Sequence, residues 1–119
     1  MIPFYAGMNA GNRAVMVTHN TINYLDKQNP ASLSPAVYSL LRNQIGFEGL
    51  AITDDLNMGA VTSYVGDGNQ SLAALKAGAD MALVPYPDKQ IPPPNHLHPM
   101  FWHKYILYSP RQPQVHDSY

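Results

Sequence analysis

Three short apolar segments, each ending in or directly followed by a residue with a polar group, most constrain the fold of this chain. They are residues 14–19, 50–54 and 82–85. Their length and their β-branched residues are typical of buried strands. The stretches between them carry helical patterns and are long enough for parallel right-handed crossovers. The region 13–86 therefore predicts a β-α-β-α-β arrangement in an α/β fold.

The first crossover contains a well-marked helix. Ser34 is a typical N-cap residue, and Pro35 stands at the first helical position, where its missing N–H costs nothing. Gly46 lies where a left-handed C-cap residue belongs. One apolar stripe lies between these two ends, made of Val37, Leu40, Leu41 and Ile45. A second helix is predicted over 69–79, with Leu72 and Leu75 facing inward.

Polar side chains follow the predicted strands where each strand ends. His19 closes the first, Asp54 and Asp55 close the second, and Tyr86 follows the third. The carboxyl ends of parallel strands share one edge, and α/β proteins keep their chemistry there. Neighbouring residues on a strand point to opposite faces. Asp54 and Asp55 therefore cannot both face one reacting bond.

Composition excludes several classes of function. The net charge of the 119 residues is −1 and only 13% are charged, so nucleic acid and anionic membranes are not expected partners. The absence of cysteine excludes disulfides and thiolate metal sites. No apolar run reaches the length of a membrane span, and the N-terminus lacks a secretory pattern, which favours a cytoplasmic location.

The composition changes after Asp88. Residues 88–119 hold six of the eleven prolines and four of the five histidines. Pro92–Pro94 favours an extended conformation. We therefore expect a domain over 1–87 and an irregular or disordered tail over 88–119, with at most a turn around 102–108. Three tail histidines suggest a metal site, but no regular element would fix their geometry, so no metal is expected: His96, His98 and His103.

Four strings of residues indicate a family. They are AVMVTH (14–19), LDKQNPASLSP (25–35), LLRNQIGFEGLAITDDLNM (40–58) and ALKAGADMALVP (74–85). With them, the stretch from Pro3 to Pro87 resembles the last part of the catalytic barrel of glycoside hydrolase family 3. The branch that it resembles is the bacterial β-N-acetylhexosaminidases.

This resemblance implies a partial TIM-type (β/α)8 barrel of about three β/α units. It also implies a retaining hydrolase without a cofactor, in which the first acid of the TDDL string, Asp54, is the nucleophile. Because Asp55 and Leu56 follow it instead of an aromatic residue, the expected substrates are terminal N-acetylglucosaminides, including peptidoglycan-derived ones.

Several residues near the strand ends have two interpretations. Asp54 is interpreted as catalytic rather than as a turn cap, whereas Asp55 is interpreted as a loop-supporting carboxylate. His19 either binds substrate hydroxyls or is bonded to the backbone. Met58 either lines the sugar pocket or fills the top of the barrel. Asp26 is expected to be a turn residue.

The resembled enzymes carry an Asp-His acid/base dyad and a Lys-His sugar-binding pair upstream of the strand at 14–19, and neither motif occurs here. We therefore expect a truncated barrel that is inactive alone and self-associates through exposed strand edges. The alternative is a non-catalytic α/β interaction module that binds through its aromatic tail, namely Phe101, Trp102, Tyr105 and Tyr108. A nucleotide-binding unit is disfavoured because no glycine-rich loop follows any strand.

Overall fold

In the computed structural model, the described residues are 2–65 and 69–83, together with the backbone of 106–108. The helices and strands follow in the order α1 (Ile2–Asn9), β1 (Ala14–Val17), a 3-10 helix (Ala31–Leu33), α2 (Pro35–Ser39), a π-helical turn (Leu40–Gln44), β2 (Leu50–Thr53), α3 (Gly59–Thr62), α4 (Gln70–Ala77), β3 (Met81–Leu83) and β4 (Ile106–Tyr108).

The strands form one sheet in the order β1-β2-β3-β4. β1 and β2 are parallel, with Val17 opposite Thr53, and β2 and β3 are parallel, with Ile52 opposite Met81. The predicted β-α-β-α-β arrangement is therefore confirmed. The carboxyl ends of three neighbouring strands meet at one edge, as parallel crossovers require.

The helix after Ser34 begins as its sequence predicts and ends in a wider turn. Ser34 Oγ accepts a hydrogen bond from the Val37 N–H at 3.4 Å, and Gly46 takes a left-handed φ of 73°. Between them the backbone changes from α to π geometry, with the Ile45 N–H donating to the Leu40 carbonyl at 3.0 Å. The apolar stripe did not predict this widening.

The core consists largely of small residues. Ala51, Ala74 and Ala82 are fully buried, so α4 lies close to the sheet. Leu72 is 40% exposed, and the expectation that it faces inward is wrong. The buried face of α4 is instead formed by Gln70, Ser71, Ala74 and Ala77. These residues recur at helical spacing, and Leu72 lies outside that face.

β1 is not buried on both faces, contrary to its predicted class. Ala14 and Met16 are exposed, Met16 at 59%, whereas Val15 and Val17 point toward the core. Within the described residues β1 pairs only with β2, so it is an edge strand. A groove of about 370 Å³ separates β1 from α1, and Phe4 and Met8 line its helix side.

β4 contradicts the expectation that no regular element follows Asp88. Its three residues pair antiparallel with β3, with Met81 opposite Tyr108 and Leu83 opposite Ile106. β4 therefore takes the edge of β3 where a barrel would place its next parallel strand. The remainder of the predicted tail, including His96, His98 and His103, lies outside the described residues.

Candidate active site at the carboxyl edge of the sheet

The loop after β2 is fixed across the ends of the three parallel strands. The Asp54 N–H donates to the Val17 carbonyl at 3.0 Å, and the Leu56 N–H donates to the Leu83 carbonyl at 3.1 Å. The buried Thr53 hydroxyl accepts from the Leu83 N–H at 3.0 Å. Two neighbouring strands therefore hold the loop that carries the acid pair.

Each of the two adjacent acids accepts a backbone hydrogen bond through its Oδ1. The Asp55 N–H donates to Asp54 Oδ1 at 2.8 Å, and Asp55 Oδ1 accepts from the Asn57 N–H at 2.8 Å. Asp55 therefore supports the turn, which is the role expected from the sequence. Asp54 and Asp55 are both half-buried, and the Oδ2 of neither accepts a hydrogen bond within the described residues.

His19 is bonded to protein atoms through both ring nitrogens. Nε2 lies 2.8 Å from the Asp55 carbonyl oxygen and Nδ1 lies 2.7 Å from Ser32 Oγ. Because a carbonyl oxygen only accepts, Nε2 carries a proton and donates to it, whereas Nδ1 accepts from the Ser32 hydroxyl in a neutral ring and donates to it in a charged one. In this conformation no ring nitrogen is left for a sugar hydroxyl, which favours the backbone-bonded interpretation of His19.

The sequence did not single out Ser32. Hydrogen bonds made by its backbone N–H and carbonyl fix its position. It is fully buried, its N–H donates to the Thr18 carbonyl at 3.1 Å, and its carbonyl accepts from the Tyr38 hydroxyl at 3.0 Å. Burial raises the pKa of Tyr38 above the usual range of a phenol, and the negative charge of Asp80 raises it further. Tyr38 therefore keeps the proton that it donates.

Asp26 organises the loop between β1 and α2. Its Oδ1 accepts from the N–H groups of Gln28 (3.0 Å) and Asn29 (3.1 Å), and its Oδ2 accepts from Asn29 Nδ2 (3.0 Å) and Ser34 Oγ (2.8 Å). The side-chain bonds from Asn29 and Ser34 lower the pKa of Asp26 to about 2. Asp26 is the turn residue that its position predicts.

Met58 lies at the start of α3 with 47% of its surface exposed. Within the described residues it is therefore not packed as a plug, and its contact with a sugar stays a prediction.

Residues 2–65 and 69–83 contain no group of three or more metal-ligating side chains. The same ranges contain no helix that is long and apolar enough to cross a membrane.

An ion pair that sequence reasoning missed lies at the opposite edge of the sheet. Arg42 contacts the buried carboxylate of Asp80 at 2.6 Å. The available signal was Asp80 itself, since a carboxylate inside the apolar string at 74–85 needs a partner when buried. The pair holds the sheet that presents the site.

Comparison with protein-family models gives a match over residues 1–97 to the glycosyl hydrolase family 3 N-terminal domain. A β-hexosaminidase from Xanthomonas campestris is 35% identical over 88 residues, which are 74% of this chain and 27% of that protein. The chain therefore spans about a quarter of the length of the curated relatives that it matches.

Solved structures give the same result. A family 3 glycosyl hydrolase from Mycobacterium smegmatis is 43% identical, with a TM-score of 0.60 over 70% of this chain and 26% of that one. A family 3 β-N-acetylglucosaminidase from Paenibacillus is 35% identical, with a TM-score of 0.60 over 69% of this chain and 16% of that one. The resemblance drawn from the sequence strings is confirmed.

Proposed function

The chain belongs to glycosyl hydrolase family 3, as a segment of its TIM-type N-terminal barrel, and on that premise we propose that it carries the nucleophile of a retaining β-N-acetylhexosaminidase. One observation carries the proposal. Asp54 is the first residue after β2, its N–H is held by the Val17 carbonyl at 3.0 Å, and its Oδ1 accepts from the Asp55 N–H at the edge where the three parallel strands end.

In the proposed reaction, Asp54 Oδ2 attacks the anomeric carbon of the sugar as the bond from that carbon to the leaving oxygen breaks. The product is a glycosyl ester of Asp54, which water hydrolyses in a second step with overall retention of configuration. The hydrogen bond from the Asp55 N–H to Oδ1 orients the carboxylate.

The leaving oxygen needs a proton from a second group about 5 Å from the nucleophile. Asp55 directly follows Asp54 and supports the turn through the Asn57 N–H, and neighbouring residues at a strand end point to opposite faces. The other acids of the described residues are engaged in the loop or lie away from this edge: Asp26, Glu48 and Asp80. We therefore propose that the acid/base group of the working enzyme lies outside these ranges and that the isolated chain hydrolyses its substrate negligibly.

The proposed substrates are terminal N-acetylglucosaminides, including those derived from peptidoglycan. The support is that curated relatives are named β-hexosaminidases and solved relatives are named β-N-acetylglucosaminidases.

We further propose that 1–87 is the barrel segment and 88–119 a tail. The alternative function is a non-catalytic interaction module that binds through aromatic side chains of the tail. These side chains lie outside the described part of the structure: Phe101, Trp102, Tyr105 and Tyr108.

A covalent trap tests the nucleophile without requiring the acid. Fluoride leaves without a proton, and a second fluorine on C5 of the sugar slows hydrolysis of the ester. The 119-residue chain, incubated with 5-fluoro-N-acetylglucosaminyl fluoride, is expected to gain one sugar mass on the peptide containing Asp54. Asp54→Asn should abolish the adduct, and Asp55→Asn should retain it. An adduct that survives Asp54→Asn contradicts the proposal.

A chimera tests the same assignment during turnover. The matched segment of the Xanthomonas campestris relative is replaced by that of this chain, and hydrolysis of a chromogenic N-acetylglucosaminide is measured. Asp54→Asn in the folded chimera should lower kcat by more than about 1,000-fold, because the covalent step is lost. In the isolated chain, turnover that disappears with Asp54→Asn would contradict the proposed inactivity.

A further inference from the structure

We propose that His19 is a positioning residue for Asp54 and acts through the backbone of Asp55 rather than on the sugar. This inference rests on the proposed function, because it takes Asp54 as the reacting group. The contact that carries it is the 2.8 Å hydrogen bond from His19 Nε2 to the Asp55 carbonyl oxygen.

Strand register places the two residues side by side. Val17 is the last residue of β1 and lies opposite Thr53, the last residue of β2. His19 and Asp55 each follow two residues later. The imidazole therefore joins the two chain segments just beyond the point where backbone pairing between the strands ends.

Both peptide groups that flank Asp55 are hydrogen-bonded, and His19 holds one of them, together with the Met58 N–H at 3.2 Å. The Asp55 carbonyl accepts from the imidazole, and its N–H donates to Asp54 Oδ1 at 2.8 Å. With both groups bonded, the residue has little freedom to rotate, and the direction of its N–H is set. That direction holds Oδ1, so it also fixes where the other oxygen of Asp54 points.

The imidazole of His19 is itself held in place by Ser32, through its second ring nitrogen. Ser32 Oγ lies 2.7 Å from Nδ1, and Ser32 is fully buried, with its N–H donating to the Thr18 carbonyl. If the ring gains a proton, Nδ1 becomes a donor and the Ser32 hydroxyl turns to accept, while Nε2 still donates to Asp55. The bond that positions Asp55 is therefore present in both charge states.

Orientation of this kind affects rate because a nucleophile must approach the reacting carbon in line and at about 3 to 3.5 Å. A carboxylate that rotates away loses this alignment even though its chemistry is intact. His19 therefore acts on the reaction without touching the sugar.

The first test uses NMR on the ¹⁵N-labelled 119-residue chain. Long-range imidazole spectra should show a proton on Nε2 of His19. His19→Ala should speed hydrogen exchange of the Asp55 amide by roughly 2- to 10-fold, the effect of one lost hydrogen bond. His19→Gln, whose side-chain amide can donate to the carbonyl, should restore slow exchange.

Ala77→Gly is the matched control, because it weakens α4 away from this edge of the sheet. It should leave the Asp55 amide unchanged relative to the other amides of the sheet. An Nε2 that carries no proton, or Asp55 exchange that changes equally in His19→Ala and Ala77→Gly, would overturn the inference.

The covalent trap separates this inference from the proposed function. His19→Ala should slow formation of the Asp54 adduct and His19→Gln should partly restore the rate, with the label still on Asp54. Labelling of His19→Ala at the wild-type rate would contradict the positioning role of His19 and leave the assignment of Asp54 as nucleophile intact. A label found on another residue would contradict the assignment of Asp54 as nucleophile. The NMR result would then still decide whether His19 fixes the position of Asp55.

Discussion

The guanidinium of Arg42 contacts the carboxylate of Asp80 at 2.6 Å, across 38 residues of sequence. Arg42 also donates to the Phe47 carbonyl at 2.6 Å and to the Gly49 carbonyl at 2.8 Å. Asp80 accepts from the Ala51 N–H at 2.8 Å. The pair therefore fixes the entry into β2, at the edge of the sheet opposite Asp54.

Loss of the Asp80 carboxylate should destabilise the fold strongly. Asp80→Ala leaves the guanidinium and the Ala51 N–H without their shared acceptor, and breaking a buried pair in this way costs about 3 to 5 kcal/mol. Asp80→Asn keeps one oxygen acceptor and should cost less. Urea unfolding followed by circular dichroism measures both, and equal stability of Asp80→Ala and the wild type would contradict this role.

Gly78→Ala should also destabilise the chain, because no L side chain fits there. Gly78 has a φ of 126°, and an added Cβ would lie 2.8 Å from the Tyr38 Cβ. We expect a loss of about 1 to 3 kcal/mol in the free energy of unfolding. Gly59→Ala is the control. Its added Cβ meets nothing within 4 Å, and it should be neutral or stabilising by up to about 1 kcal/mol.

Asp26 should make stability depend on pH in the acid range. Its folded-state pKa, about 2, lies below its ordinary value of 3.8 because Asn29 and Ser34 bond the carboxylate. The stabilisation is therefore complete above about pH 4 and is lost as the pH falls toward 2. Unfolding midpoints measured from pH 5 to 2 should fall less steeply in Asp26→Asn, whereas parallel profiles would contradict the role.

Self-association should depend on the exposed face of β1. Met16 is 59% exposed on an edge strand, and lysine on such strands opposes pairing with another chain. Met16→Lys is expected to lower the sedimenting mass at high concentration toward that of the 13.1 kDa monomer. Leu72→Lys, at an exposed position on α4, should leave the mass distribution unchanged. The reverse pattern would place the contact elsewhere.

The sequence by itself determined the β-α-β-α-β order over 13–86 and the edge of the sheet at which the acid pair lies. Ser34 and Pro35 start a helix through bonds within a few residues, and Gly46 ends it by a backbone preference of its own. The run from Leu50 ends in acids because charge is costly to bury. Such local causes can be read without the fold, and they placed Asp54 and Asp55 at the rim.

Tertiary structure alone decided the contacts between residues far apart in the chain. Only the pairing of β1 with β2 brings His19 to the Asp55 carbonyl, and only the fold brings Arg42 to Asp80. The apolar run at 14–19 predicts that Met16 is buried, but Met16 is 59% exposed. Whether another layer covers that face of β1 is decided by the fold and not by the local sequence. The direction of β4 is a further case, since which strand it joins depends on long-range packing. Sequence therefore determined where the carboxylate of Asp54 lies, and the fold decided which residues hold it there.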